Sequence, residues 1–163
     1  STAVEGKIHP KIDYRILAGY TFTKPVVDNP SNPIGQDNNG TDLTYINSSS
    51  DTSGYILKYR YQHIAKADLQ FNLWKWRTGF SVRYNSFMQN IDNAFNLFIA
   101  GVEDYRAEHP DGNLICDFRL GYQFNKKVRA DILVNNVFNE ELLIRPGFLG
   151  PPRSYSLRIN YAF

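Results

Sequence analysis

The sequence predicts an all-β protein, an antiparallel transmembrane β-barrel with short turns at one end and long loops at the other. Three observations carry this prediction. Apolar and polar residues alternate along several segments, short and long connections alternate between those segments, and aromatic residues collect near both ends of them. Alternation gives a strand one apolar and one polar face, and the other two features are typical of outer-membrane barrels.

About seven strands are predicted, all antiparallel if sequential neighbours pair. Their ranges are a weak first strand at 2–8, then 12–23, 54–73, 77–85, 113–124, 128–138 and 154–163. The clearest is 113–124, where Leu114, Cys116 and Phe118 begin a run of apolar residues that alternates with polar ones. On this face Cys116 is expected to behave as a small hydrophobic residue.

The connections predict which end of the sheet faces which compartment. Short turns are expected at 9–11, 74–76 and 125–127, and long polar loops at 24–53, 88–112 and 139–153. Strict alternation puts every long loop at the same end, as in barrels with short periplasmic turns and long extracellular loops. Within the second loop, Asp92 is expected to cap one short helix whose apolar side carries Phe95, Phe98, Ile99 and Val102.

Two kinds of fold fit a sheet with one apolar face. In a soluble lipocalin-like or sandwich fold, that face lines a core, whereas in a membrane barrel it meets lipid and the polar face lines the lumen. Aromatic residues favour the membrane, because they form two bands separated by aliphatic residues. The band at the short turns contains Trp74, Trp76, Tyr122, Phe124, Tyr161 and Phe163, and the band at the long loops contains Tyr20, Phe22, Tyr55, Phe87 and Phe138.

Composition argues against several other functions. The net charge is only +2, from 18 basic and 16 acidic residues, so nucleic acid is not an expected partner. The single cysteine permits no internal disulfide, and His9, His63 and His109 lack the spacing of a metal site. The loop serines have no histidine near them in the sequence. We therefore expect no enzyme activity, no metal and no cofactor.

Several segments resemble the C-terminal end of TonB-dependent outer-membrane receptors. The segments are Ala-Asp-Ile-Leu-Val-Asn-Asn-Val-Phe-Asn at 130–139, Arg-Pro-Gly at 145–147, Pro-Pro-Arg at 151–153 and the terminal Asn-Tyr-Ala-Phe at 160–163. Upstream, Leu-Ala-Gly-Tyr-Thr-Phe-Thr at 17–23 is similar to a strand of that family. Residues 59–63 are similar to its Pro-x-His segment, except that Tyr61 stands where proline is usual.

The resemblance implies an architecture and a function. Residues 1–163 would be the last seven or so strands of a 22-stranded barrel, with the N-terminal plug domain and the earlier strands outside this chain. The implied function is active import of a scarce nutrient (siderophore, cobalamin, haem, peptide or glycan) across the outer membrane of a Gram-negative bacterium. A passive porin or adhesin-type barrel is the alternative, and a soluble β-sandwich binding domain is a third class.

The resemblance also implies partners. They are the rest of the barrel and the plug, the TonB complex through the N-terminal region, the outer-membrane assembly machinery and the lipid bilayer, with a surface lipoprotein as a further candidate. Tyr161 and the terminal Phe163 resemble the signal that the assembly machinery reads; an interfacial aromatic anchor is the alternative role.

Candidate substrate-binding residues lie on the polar face towards the long loops or in those loops. They are Arg60, Gln62, Asn85, Tyr105, Arg106, Asn113 and Arg145. Solvation of a water-filled vestibule is the alternative role for each. Nearer the short turns, Arg15, Arg129 and Arg158 are expected to form ion pairs with the plug or with Asp13 and Asp131.

Overall fold

The structure, a computed structural model, describes residues 2–9 and 12–163. Its strands in chain order are β1 (Thr2–His9), β2 (Ile12–Phe22), β3 (Pro33–Gln36), β4 (Asp42–Thr44), β5 (His63–Leu73), β6 (Trp76–Asn85), β7 (Asn113–Gln123), β8 (Val128–Asn135), β9 (Leu143–Arg145), β10 (Phe148–Leu149) and β11 (Ser154–Tyr161). The helices are α1 (Tyr45–Ser48), a 3-10 turn at Ser53–Tyr55, α2 (Asn93–Phe98) and α3 (Val102–Glu108).

One sheet contains the seven long strands in the order β1-β2-β5-β6-β7-β8-β11, and all pairs are antiparallel. The predicted pairing of sequential long strands is therefore confirmed. β2, β5 and β7 have 11 residues each and β6 has 10. A tilted strand of about 9–11 residues is long enough to span a bilayer.

The pairing register gathers the apolar residues on one face of the sheet, because directly opposed residues of paired strands share a face. Successive rows across β2, β5, β6 and β7 read Ile12, Leu73, Trp76, Tyr122; Tyr14, Phe71, Thr78, Leu120; Ile16, Leu69, Phe80, Phe118; and Ala18, Ala67, Val82, Cys116. Cys116 thus lies on the apolar face, where it is buried. We call this surface the apolar face.

The opposite surface, the polar face, contains most of the charged strand residues. Its rows read Asp13, Asn72, Arg77, Gly121; Arg15, Gln70, Gly79, Arg119; Leu17, Asp68, Ser81, Asp117; and Gly19, Lys66, Arg83, Ile115. The alternation predicted from the sequence is therefore continuous from strand to strand. A slip of one residue in any pair would move that strand's apolar side chains to the polar face.

Two of the predicted short turns are present. Trp74 and Lys75 connect β5 to β6, with Trp74 in the left-handed region at φ 56°. Between β7 and β8 the side chain of Asn125 accepts backbone hydrogen bonds from Lys127 at 2.9 Å and Val128 at 3.0 Å, which closes a tight turn. The predicted turn at 9–11 includes positions 10 and 11, and these, like the side chain of His9, lie outside the described residues.

Several predicted strand boundaries are wrong. The strand predicted at 54–73 begins only at His63, because residues 54–62 bond to the loops: the backbone N–H of Leu57 donates to Pro25 and that of Tyr59 to Asn90. The strand predicted at 128–138 ends at Asn135, and Asn136 turns the chain at φ 50°. The last strand ends at Tyr161.

The predicted single helix is two helices, α2 and α3, separated by Gly101 at φ 82°. Asp92 is at the N-cap position of α2 but makes no capping hydrogen bond through its side chain. Phe98 is 83% exposed, whereas Val102 is buried and Phe95 and Ile99 pack beside it. Phe98 therefore does not share the apolar side that Phe95, Ile99 and Val102 form.

Three long loops leave the same end of the sheet: loop A (23–62), loop B (86–112) and loop C (136–153). The principal cluster of buried apolar side chains lies among these loops and consists of Met88, Ile91 and Val102. In the described part of the chain, no helix is long and apolar enough to cross a membrane.

Candidate functional site

The loop end of the sheet is the candidate functional site, and its centre is Asn90 of loop B. Asn90 is 1% exposed, and its amide nitrogen donates to the hydroxyl of Tyr45 at 2.8 Å and to the carbonyl of Ile56 at 2.9 Å. Its amide oxygen accepts from the backbone N–H of Asp51 at 3.2 Å. One buried side chain thus holds three segments of loop A. Burial raises the pKa of the Tyr45 phenol, which is one of its partners.

A second polar contact between loops A and B forms around Asp92. Lys58 and the hydroxyl of Tyr59 both donate to its carboxylate, which explains why this carboxylate does not cap α2. Tyr59 has φ 61°, a conformation that is uncommon for a large side chain. Burial, and then the hydrogen bond to Asp92, raise the pKa of Tyr59, so this phenol remains a donor across the neutral pH range.

Loop B is joined to loop C through Tyr105. The Tyr105 hydroxyl lies 2.9 Å from Oδ1 of Asn113 and accepts from the backbone N–H of Leu143, also at 2.9 Å. Asn113 in turn donates to the carbonyl of Glu141 at 2.8 Å. The ring of His109 stacks on Tyr105 at 4.2 Å, and burial raises the pKa of the Tyr105 phenol. The three loops therefore form one connected structure.

Arg106 is held inside loop B. Its guanidinium donates to the carbonyls of Met88 at 2.7 Å and Gln89 at 3.1 Å and lies 4.6 Å from the centre of the Phe87 ring. Burial lowers the pKa of Arg106, while the negative charge of Asp51 opposes that effect. This side chain fixes the shape of the loop.

The seven candidate substrate-binding residues fall into two groups. Five have buried or half-buried side chains among the loops: Gln62, Asn85, Tyr105, Arg106 and Asn113. Gln62 bonds to Gln89 at 3.3 Å. Arg60 and Arg145 are exposed instead, and Arg145 lies 5.4 Å from the Phe148 ring. A role of any of the seven in substrate binding remains a prediction.

The polar face carries its own network below the loops. Arg119 pairs with Asp68, which also accepts from Ser81 at 2.5 Å. Arg129 pairs with Asp131 at 2.9 Å, as the sequence predicts. Arg15 pairs with Glu5 at 2.8 Å rather than with Asp13. Ion pairing of Arg158 to Asp131 is not seen in the described residues, although the two are directly opposed.

Two glycines on the polar face make room for these charged groups. A Cβ at Gly79 would lie 2.8 Å from Nε of Arg119, and a Cβ at Gly121 would lie 2.3 Å from the carboxylate of Asp131. Each glycine is the direct register partner of the residue that covers it. Because glycine has no side chain, Arg119 and Asp131 can lie across the sheet over these two positions.

Two concavities open on the polar face. One has a volume of about 540 Å³ and is lined in part by Gly19, Lys66 and Arg83. The other, about 160 Å³, lies nearer the short turns and contains four arginines together with Asp131: Arg77, Arg119, Arg129 and Arg158. The larger concavity has a mixed lining, because apolar side chains and the carboxylates of Asp68 and Asp117 also border it. The smaller one favours contact with anionic or hydrogen-bond-accepting groups.

Histidines and acids do not form a metal site within the described residues, where no group of three or more His, Cys, Asp or Glu side chains is arranged to hold an ion. His63 belongs to an aromatic group instead, with Nδ1 at 2.7 Å from the Tyr20 hydroxyl and its ring 4.9 Å from that of Phe22.

At the C-terminus, the ring of Phe163 is fully exposed and packs edge-on against Tyr161 with 5.2 Å between ring centres. Recognition of these two residues by the assembly machinery remains a prediction.

Sequence reasoning missed Asn90, Tyr45 and Asp92 as the residues that organise the loops. No periodicity marks them, because their importance comes from contacts 33 to 45 residues apart in the chain.

Comparison with solved structures identifies a likeness in fold. The chain is similar to the ferric-catecholate import receptor Fiu of E. coli K12 in its closed form, with a TM-score of 0.62 and 22% sequence identity. The match covers 99% of this chain and 20% of the receptor, so the chain spans about a fifth of that protein's length. No protein-family model and no curated protein sequence matches. The chain has the fold of part of a ferric-catecholate import receptor.

Proposed function

We propose that the chain is the C-terminal part of a TonB-dependent active transporter in the outer membrane of a Gram-negative bacterium. The observation that carries this proposal is the likeness to an import receptor over 99% of the chain. That likeness agrees with the residue pattern at 130–139 and 160–163, which resembles the C-terminal end of TonB-dependent receptors.

The two faces of the sheet suit this role. In a barrel the apolar face meets lipid, and the polar face lines the lumen. The apolar face carries large exposed side chains on neighbouring strands, including Leu73, Trp76, Phe80 and Phe118. An apolar surface of this size requires a cover, and lipid covers it without a further protein partner.

The edges of the sheet support a larger barrel. In the described residues β1 pairs only with β2, and β11 pairs only with β8. All eight residues of β11 are exposed. A membrane excludes strands with unpaired backbone groups, so both edges must pair with further strands. We propose that these belong to the same polypeptide and complete a 22-stranded barrel around a plug domain.

The substrate is a scarce nutrient that reaches the loops first. Because the similar receptor imports ferric catecholates, a ferric tris-catecholate complex is the first substrate to test. Arg60 and Arg145 are available to an anionic complex, since both are loop cations with exposed side chains. Energy for import would come from TonB acting on the plug, with the barrel as scaffold and selectivity wall.

The test is uptake of radioactive iron from this complex by cells that express the full-length receptor. We expect uptake that requires both TonB and the proton gradient. Uptake that continues without either would support a passive porin. An Arg60→Gln, Arg145→Gln double variant should bind the complex less tightly, whereas a Lys126→Gln, Lys127→Gln variant at a short turn removes the same charge and should bind normally. No uptake of any ferric complex would contradict the proposed substrate class.

A further inference from the structure

Two like charges face each other on the polar face. Lys66 of β5 and Arg83 of β6 are directly opposed in the register, and both side chains are exposed. Like charges at directly opposed positions of an antiparallel pair destabilise the sheet. A sheet that retains such a pair therefore benefits from a group of opposite charge nearby.

The neighbouring acids do not supply that charge. Asp68, two residues from Lys66, is bound by Arg119 and Ser81. Asp117 accepts from the backbone N–H of Asn136 at 2.8 Å. Among the side chains that the structure describes, no carboxylate lies within ion-pair distance of Lys66 or Arg83.

There is space for an anion beside the two cations. Both line the concavity of about 540 Å³, and their row is flanked by Gly19, which projects no side chain into it. Asp68 and Asp117 also border this concavity, but they lie in the next row of the sheet, farther from the loops. Arg83 also borders a second cavity, of about 220 Å³, whose wall includes Pro151 and Pro152 of loop C. Arg83 therefore lies between the base of the loops and the open polar face.

We propose that Lys66 and Arg83 form a binding site for a carboxylate or another oxyanion on the lumen wall, directly below the loops. This proposal rests on the proposed transport function and adds a site within its path. The guanidinium offers paired N–H donors to a planar oxyanion, and the ammonium adds a point charge. The anion has two possible sources with the same chemistry, namely a transported anionic complex and an acidic side chain of the plug.

The experiment uses the purified full-length receptor in vesicles and a Lys66→Gln, Arg83→Gln double variant. Two measurements distinguish the sources. The first is equilibrium binding of ferric tris-catecholate, followed by tryptophan quenching. The second is the midpoint temperature of unfolding without that complex, followed by loss of the folded band on gels. A Lys66→Arg, Arg83→Lys variant keeps both charges. A Lys126→Gln, Lys127→Gln variant removes two charges at a distant turn. Since no buried contact is lost in the double variant, we expect it to fold; a single Lys66→Gln variant provides the same test with half the charge.

The outcomes are distinct. Weakening of binding by about tenfold or more in the double variant alone, reduced at high salt, supports a site for the transported anion. Unchanged binding with a lower thermal midpoint supports a plug carboxylate, because removing its partners destabilises the receptor. If the wild-type receptor does not bind the complex, the transported anion is rejected as the occupant of the site. The thermal midpoint then decides whether a plug carboxylate occupies it. Unchanged binding together with an unchanged or higher midpoint overturns the proposal. TonB-dependent uptake in cells is measured separately, so failure of this site does not imply failure of the transport function.

Discussion

A pair of leucine substitutions at the same depth tests which face of the sheet meets lipid. Leu17 is the middle residue of β2 and lies on the polar face opposite Asp68, while Leu69 of β5 lies on the apolar face opposite Ile16 and Phe80. The two leucines are on paired strands, one register position apart, so they differ mainly in the direction of their side chains.

The expected magnitudes differ because the surroundings differ. An arginine at position 69 would meet hydrocarbon near the bilayer midplane, where this substitution costs about 2–4 kcal/mol. An arginine at position 17 would enter the concavity of the polar face, with the carboxylate of Asp68 on the neighbouring strand. A lumen change of this kind should alter the free energy of unfolding by less than about 0.5 kcal/mol, as for other solvated surface sites.

The assay is urea unfolding of the full-length receptor in thin-bilayer vesicles, followed by the heat-modifiable band on gels. Linear extrapolation of the unfolding curves gives the free-energy difference between each variant and the wild type. Leu69→Arg should be destabilised by several kcal/mol more than Leu17→Arg. Equal losses, or a larger loss for Leu17→Arg, would refute the assignment of the apolar face to lipid.

Four further outcomes are expected. Gly121→Ala should destabilise the barrel by about 1–3 kcal/mol, because its Cβ would displace the half-buried carboxylate of Asp131. Gly35→Ala, with nothing within 4 Å, should be neutral in the same urea assay. Asn90→Ala leaves buried groups of loop A without their donor, so limited proteolysis should cut loops A and B faster. Asn93→Ala, at an exposed position of loop B, should not have this effect. Phe163→Asp should lower the amount of folded receptor in cells, and a normal amount would reject the assembly-signal role. Raising the pH above about 10 should loosen the loops before the strands. The loop phenols of Tyr45, Tyr59 and Tyr105 have raised pKa values in the folded protein, so the stability that their protonated form contributes is lost as the pH rises. Phenolate absorbance and limited proteolysis, measured together, test this.

The strands were predictable from sequence because their information is local. A period of two is visible within one segment, and short turns force neighbours to pair, so the apolar rows followed without knowledge of any distant contact. The errors fall where local pattern and long-range bonding disagree. Residues 54–62 alternate like a strand, yet their backbone groups bond to loops A and B, as at Tyr59 and Asn90.

The loops were less predictable because their structure depends on contacts between residues far apart in the sequence. A polar residue near the mouth of a barrel has two uses, since it can meet a ligand or satisfy a buried backbone group, and composition does not distinguish these. The sequence predicts ligand binding for Tyr105 and Asn113, whereas in the structure both bond to groups of the loops. Lys66 and Arg83 present the reverse case, because each is unremarkable as a lone charge on a strand. Only the register shows that they oppose each other, and only the structure shows that the nearby acids are already bonded. In this chain, charges on the polar face are therefore better candidates for ligand binding than polar loop residues, because most of the predicted loop residues bond to the loops themselves.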